Sequence, residues 1–316
     1  MPNDKNDSVT ITDVTLREYG QNVPAEYLHI FTPEIRVKIA LQLIDAGMKN
    51  IEIISCVNPK ISPAMNKEAL QKIIQDLGRI NKVNLITLVP NRAGYNTFLE
   101  LGLGPDNYNH TMGVFFSAIE AHNIANLGRP LKETIEEYKK IIRDASVHNI
   151  RIISYISAAF GYLELESGVL IKPDIDEVTN YIDLLLDLGV DTVTLSDLQG
   201  IANEERTREI FETILNKRAG SDTDKLRYHP HHVSGKAAIA NTKIAYDLGI
   251  RRFDSSLGGT GGCVTGAPGN QPTEMLVDFF NSLGIQTGLN ETKIFPLTEM
   301  VKKELYNKIP LAEVKR

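Results

Sequence analysis

Apolar positions along this chain follow two alternating periods. Period-two runs rich in β-branched residues give way to stretches with apolar residues three and four apart, the marks of half-buried strands and of amphipathic helices. From Pro33 to Ala46, Ile35, Ile39, Leu43 and Ala46 keep helical spacing, with Thr32 placed to cap the first turn and Pro33 at the first helical position. Gly47 stops that helix, and NIEIIS (Asn50 to Ser55) follows as a strand.

The phrase then repeats. A helix end of the form Asp-Ala/Leu-Gly occurs at Asp45-Ala46-Gly47, Asp187-Leu188-Gly189 and Asp247-Leu248-Gly249, each glycine suited to the residue just past a helix. The strands that follow, IEIIS, TVTLSD and RFDSS, all end on Ser or Asp. Further strands are expected at Val9 to Leu16, Asn84–Pro90, His110–Ser117, Arg151–Ser157 and Arg227–His232. Helical patterns fill most gaps, among them Leu131–Val147 and Asp176–Leu188, and Arg17 to Gln21 reads as a dense polar turn after the first strand. Eight strands alternating with helices predict an α/β fold, a (β/α)8 TIM barrel, whose usual size is about 250 residues plus insertions. A doubly wound open sheet is the alternative, but it leads one to expect Gly-x-Gly-x-x-Gly after the first strand, and none is there. The whole of 1–316 is expected to form a single catalytic barrel domain, with a polar tail at 1–8 and a helical extension at 285–316. In that extension Leu297, Met300, Val301 and Leu305 form a stripe that can pack on the barrel or pair with a second chain.

Composition narrows the partner. A chain of 316 residues, 42% hydrophobic, can bury a large core, and a net charge of −6 gives no basic excess for nucleic acid or for a polybasic membrane anchor. The partner expected is a small molecule. Two cysteines, Cys56 and Cys263, are too few for a disulfide framework and fit a reducing cytoplasm. The N-terminal segment has no apolar signal region, and no apolar run is long enough to span a bilayer.

In a barrel the chemistry sits at the C-terminal ends of the strands, so those ends form one candidate set. They carry Asp13, Arg17 and Glu18, then Glu52 and Ser55, Ser117, Asp197, His229 and His231, and finally Asp254 and Ser255. His229 and His231, two residues apart on a strand, point the same way, which makes half a metal site completed by a carboxylate and an amide oxygen. The bland alternative has one histidine facing solvent and the other hydrogen-bonded in the core. Asp197 can likewise be a helix cap.

Here a family comes into view. Asp13-Val-Thr-Leu-Arg-Glu-Tyr-Gly-Gln21 resembles the Asp-x-Thr-Leu-Arg-Asp-Gly-x-Gln signature of the DRE-TIM metallolyases, metal-dependent barrels that make or break carbon–carbon bonds beside carboxylates. His229-x-His231 and Gly269-Asn270 resemble that family's metal pair and asparagine ligand. The 3-hydroxy-3-methylglutaryl-CoA lyase branch is the most similar, through Asp254-Ser255-Ser256, the run Gly258 to Cys263, Thr273-Glu274, Ile51-Glu52 to Ser55, and Leu283-Gly284-Ile285-x-Thr287-Gly288. The resemblance implies that Glu18, His229, His231 and Asn270 hold a divalent cation, Mg²⁺ or Mn²⁺, with Zn²⁺ or Co²⁺ as further candidates. It implies that Arg17 stabilises an enolate oxygen, that Glu52 and Asp197 move or position protons, and that Cys263 acts from a Gly-rich flap. Gln21, Tyr19 and Ser55 are expected at the substrate, a carboxylate or acyl-CoA, and the family suggests a homodimer.

The chain departs from the branch in five ways. Glu18 replaces Asp, Tyr19 replaces Gly, the loop from Cys263 to Asn270 is two residues shorter, and Leu198 and His232 stand where Thr and Asp are usual. Tyr19 is therefore expected to trim the substrate pocket, the alternative being that it points away and packs against a neighbouring loop. Four functions remain open: a lyase for a 3-hydroxy acyl thioester, a Claisen-type synthase, a 4-hydroxy-2-oxo acid aldolase, and a non-catalytic binding protein on the same barrel.

Overall fold

A computed structural model describes residues 7–218, 223–231, 235–261 and 269–309 of the chain. Eight parallel strands close into a barrel: β1 (Thr10–Asp13), β2 (Asn50–Ser55), β3 (Asn84–Leu88), β4 (Thr111–Ser117), β5 (Ile152–Ser157), β8 (Thr192–Asp197), β9 (Leu226–Pro230) and β10 (Arg252–Ser255). Closure runs through β1 and β10, with Thr10 opposite Arg252 and Asp13 opposite Ser255. Between β5 and β8 the chain adds an antiparallel hairpin, β6 (Tyr162–Leu163) and β7 (Leu170–Ile171). The fold is the TIM barrel that the strand–helix alternation predicts.

The three repeated glycines do the work their position implies. Gly47, Gly189 and Gly249 adopt φ of 101°, 92° and 100°, a left-handed turn that carries each helix back to its next strand. Thr32 caps helix α2 (Pro33–Asp45) by accepting the Ile35 amide at 3.4 Å, and the helix expected at Leu131–Val147 has those bounds.

One expected element is corrected. The first strand stops at Asp13, and the supposed polar turn is a helix, α1 (Thr15–Asn22). The Asp13 carboxylate accepts the Thr15 amide at 3.1 Å and the Thr15 hydroxyl at 2.8 Å, which closes the chain into a turn immediately after the strand. Leu16, Tyr19 and Val23, three and four residues apart, are all buried, so the polar stretch has an apolar helical face. That helix puts Arg17 and Glu18 at the C-terminal mouth of the barrel.

The C-terminal stripe packs inward. Helix Glu291–Val301 lies against α2 and helix Thr273–Ser282, burying Ile294, Leu297 and Val301, and a π-helical turn, Lys302–Tyr306, continues it and buries Leu305. Among the described residues no helix is long and apolar enough to cross a membrane.

Candidate active site

Strand β9 supplies one wall. Its alternation turns Arg227, His229 and His231 toward the barrel axis while Tyr228 packs outward against Phe160 and Phe211. On the neighbouring strand the Asp254 carboxylate receives Arg227 Nη2 through one oxygen and His229 Nδ1, at 3.0 Å, through the other. Burial works to raise the Asp254 pKa, but Arg227 and then His229 outweigh it and hold the carboxylate below the ordinary aspartate value. A charged acceptor at Nδ1 fixes the ring's orientation and tautomer, leaving the Nε2 lone pair facing the cavity. There His229 Nε2 and His231 Nε2 stand 3.0 Å apart.

The opposite wall comes from α1 and β2. Arg17 Nε and Nη2 both reach Glu52 Oε2 at 2.5 Å, and Nη1 pairs with Glu18. Burial opposes the charge on Arg17, yet Glu18 and Glu52 more than compensate and raise its pKa. Burial likewise works to raise the Glu18 pKa, but Arg17, His231 and His229 pull it below the usual glutamate value. Glu18 is thus an ionised carboxylate beside two imidazoles. Tyr155 donates its hydroxyl to the other Glu52 oxygen, so Glu52 is fully engaged in fixing Arg17.

Asn270 completes the set. Its backbone bridges His231, its Nδ2 donates to the Thr260 carbonyl at 2.8 Å, and its Oδ1 is buried with no hydrogen-bond partner. A buried amide oxygen left unpaired is costly unless something else takes its lone pairs. Gly261 brings it close to Glu18: a Cβ there would meet Asn270 Nδ2 at 2.5 Å and Glu18 Cβ at 2.7 Å. Among the described residues no three His, Cys, Asp or Glu side chains are gathered into an ion's shell, and the Glu18 carboxylate is paired with Arg17. The donors nonetheless fit a divalent cation. Two ligands about 2.1 Å from one ion at a right angle stand about 3 Å apart, as the two Nε2 atoms do. The orphaned amide oxygen and an ionised carboxylate make up a mixed nitrogen and oxygen set.

Arg17, Glu18, Gln21, His229 and His231 line one cavity of about 260 Å³. Glu52 lies beneath them with no exposure. Ser55 is buried behind the wall, its hydroxyl unpaired, and does not line the cavity. Tyr19 does not line it either, which corrects the expectation that it trims the pocket. Its ring packs edge-on against Phe31 at 5.3 Å and tilted against Tyr306 at 4.9 Å, because helical geometry turns residue 19 to the buried side of α1. Asp197 is also withdrawn from the cavity. Its two carboxylate oxygens accept the Ile201 and Ala202 amides of the following loop at 3.1 and 3.2 Å, while Asn203 caps the helix that starts at Glu204, and burial raises the Asp197 pKa to about 7. Cys263 lies outside the described residues. Cys56 is a packed residue, with burial pushing its thiol up to about 12.

Two contributors escape a reading of strand ends. Tyr155 lies mid-strand on β5 and lines the cavity, and Arg227 holds Asp254 from two residues before His229. The inward alternation of β9 carried a signal for Arg227; for Tyr155 nothing local did.

A closed barrel with an arginine, an ionised glutamate and paired imidazoles at its C-terminal mouth defines a class: TIM barrels whose donor set fits a divalent cation beside a fixed positive charge. The chain belongs to the HMGL-like family, whose profile matches residues 8–301. It is 30% identical over 304 residues to a hydroxymethylglutaryl-CoA lyase of Bacillus subtilis, covering 96% of this chain and 95% of that one. To the (R)-citramalyl-CoA lyase of Chloroflexus aurantiacus it is 29% identical over 314 residues, covering 96% and 93%. A crystal structure of the B. subtilis HMG-CoA lyase superposes with a TM-score of 0.82 at 28% identity, covering 98% and 97% of the two chains. That of an Acinetobacter baumannii HMG-CoA lyase in complex with coenzyme A and 3-methylmalate gives 0.81 at 25%, covering 97% and 93%.

Proposed function

We propose that this protein is a divalent-metal-dependent lyase that cleaves a 3-hydroxy acyl-CoA, of the 3-hydroxy-3-methylglutaryl-CoA type, into a keto acid and an acyl-CoA enolate. The observation that carries the reading is the Arg17 guanidinium, fixed on Glu52 in the same cavity as two imidazole Nε2 atoms 3.0 Å apart. The relatives are acyl-CoA carbon–carbon lyases, and one solved relative holds coenzyme A with a small carboxylate.

The reaction breaks the bond between the α and β carbons. The β-hydroxyl loses its proton and becomes a ketone, the bonding pair moves to the α carbon as a thioester enolate, and that carbon then takes a proton. Glu18, His229, His231 and Asn270 would hold the cation, which supplies Lewis acidity to the hydroxyl and carbonyl oxygens. Arg17 places a permanent positive charge where the enolate oxygen develops, and its two-pronged grip on Glu52 means that it need not reorganise during the reaction. Glu52 and Tyr155 position Arg17, and Asp254 with Arg227 positions His229. Cys263 is assigned the final protonation on the strength of the family resemblance, and Cys263→Ser should slow turnover without loss of metal.

The test is an acyl-CoA panel, including 3-hydroxy-3-methylglutaryl-CoA and citramalyl-CoA, assayed for acetyl-CoA and the released keto acid with Mg²⁺ or Mn²⁺ and after chelation. Metal-dependent cleavage of a 3-hydroxy acyl-CoA is expected. Condensation of an acyl-CoA with a 2-oxo acid instead, or no turnover of any thioester, would overturn the reading.

A further inference from the structure

The π-helical turn near the C-terminus touches Leu257, at the head of the glycine-rich stretch, and Tyr19, the neighbour of Glu18, without lining the cavity. We infer that Tyr306 is a positioning residue that sets the direction of the Asn270 amide and braces the helix that carries Glu18. This inference rests on the metal site proposed above.

The geometry runs through the glycine-rich stretch after β10. Gly258, Gly259 and Gly261 take φ of 67°, 69° and 97°, left-handed values in which a side chain is strained. A stretch so rich in glycine has little conformational preference of its own, so its shape must come from what it touches. Tyr306 donates its hydroxyl to the Leu257 carbonyl at 2.8 Å. The turn lies directly on the π-helical segment: a Cβ on Gly258 would come within 3.0 Å of Lys302 Cε and 3.1 Å of Tyr306 Cε2. From the other side Glu274 accepts the Gly258 amide at 3.0 Å. The turn is clamped between two helical elements.

The clamp ends at Asn270. The Thr260 carbonyl, two residues beyond Gly258, accepts both Ser256 Oγ at 2.7 Å and Asn270 Nδ2 at 2.8 Å. Because Nδ2 is committed to that carbonyl, Oδ1 must face the other way, where it is buried and unpaired. A shift of Thr260 would rotate the amide and withdraw the oxygen. The same tyrosine ring packs on Tyr19, adjacent in sequence to Glu18, at 4.9 Å between centroids. One side chain therefore stands behind both oxygen donors, while the His229 imidazole is fixed separately by Asp254. π-helical turns are rare and recur beside functional sites, where they re-aim a side chain within a helix.

The experiment is a Mn²⁺ titration, followed by the EPR signal of free ion, on the intact protein and on Tyr306→Phe, Tyr306→Ala and Ser256→Ala. A metal-free thermal melt accompanies each. Tyr306→Phe keeps the ring and removes the hydroxyl, so the dissociation constant should rise about five-fold while the melting temperature falls by no more than about 3 °C. Ser256→Ala, which removes the second support of Thr260, should do the same, and Tyr306→Ala should exceed both. Unchanged Mn²⁺ affinity in Tyr306→Phe and Ser256→Ala, whatever the melts show, would overturn the inference and leave the metal site standing. Failure of the unaltered protein to bind Mn²⁺ would overturn the metal site itself, and the inference with it.

Discussion

The two sides of the candidate site are built differently. On the β9–β10 side, strand backbones aim the polar groups and buried partners lock them: Arg227 holds Asp254, Asp254 holds His229, and His231 lies two residues on. On the other side Glu18 rides on a short helix and pairs with Arg17, while Asn270, whose backbone bridges His231, has its side-chain amide set by the Thr260 carbonyl of the glycine-rich stretch. The nitrogen donors are preorganised by the barrel. The oxygen groups are aimed from outside the sheet, Glu18 by Arg17 and the Asn270 amide by the Thr260 carbonyl.

The largest effect should come from the hinge between the two sides. Arg17→Lys keeps the charge but cannot grip Glu52 through two nitrogens, so turnover should fall by about 10²–10³-fold with metal content unchanged. Steady-state assay with metal analysis decides this, and a loss below ten-fold would remove Arg17 from the enolate position. Asp254→Asn should come next, weakening metal affinity by about 10–100-fold because His229 loses the charged partner at Nδ1. Asp197→Asn should leave affinity within two-fold, since that carboxylate serves backbone amides. Equal effects of the two substitutions in equilibrium dialysis would erase the distinction drawn here.

A third comparison concerns protonation. Burial raises Asp13 from 3.8 to about 7, with Thr15 pulling against it. The folded chain thus keeps a proton that the unfolded chain has lost over that window, unfolding releases it, and stability falls as pH rises from about 4 to about 7. Asp13→Asn should flatten part of that slope in urea melts. The smallest effect should be Tyr19→Phe, which removes a buried hydroxyl with no partner and should leave stability equal or up to about 1 kcal/mol higher, with KM unchanged. A raised KM would return Tyr19 to the substrate.

The barrel was legible because its information is local. Strand and helix periods lie within a dozen residues, and Gly47, Gly189 and Gly249 mark helix ends by their own backbone needs. His229 and His231 were legible for the same reason. What the sequence did not show is non-local: Tyr155 and Glu52 meet across 103 positions, and no pattern near either announces the bond. Helix α1 was missed because charge at Arg17 and Glu18 masks the apolar spacing of Leu16, Tyr19 and Val23. Tyr19, expected at the substrate because it stands where the resemblance has Gly, is turned by that helix to the buried side. Asp197 was legible as a rim residue, but whether its carboxylate faced the cavity or the amides of residues 201 and 202 depended on the loop's path.

The most direct test of the site is metal stoichiometry in His229→Ala and His231→Ala, measured by equilibrium dialysis against Mn²⁺ beside the unaltered protein. The expected result is one ion per chain in the unaltered protein and loss of that ion, together with acyl-CoA cleavage, in each variant. Retention of the ion at unaltered affinity by both variants would contradict the account.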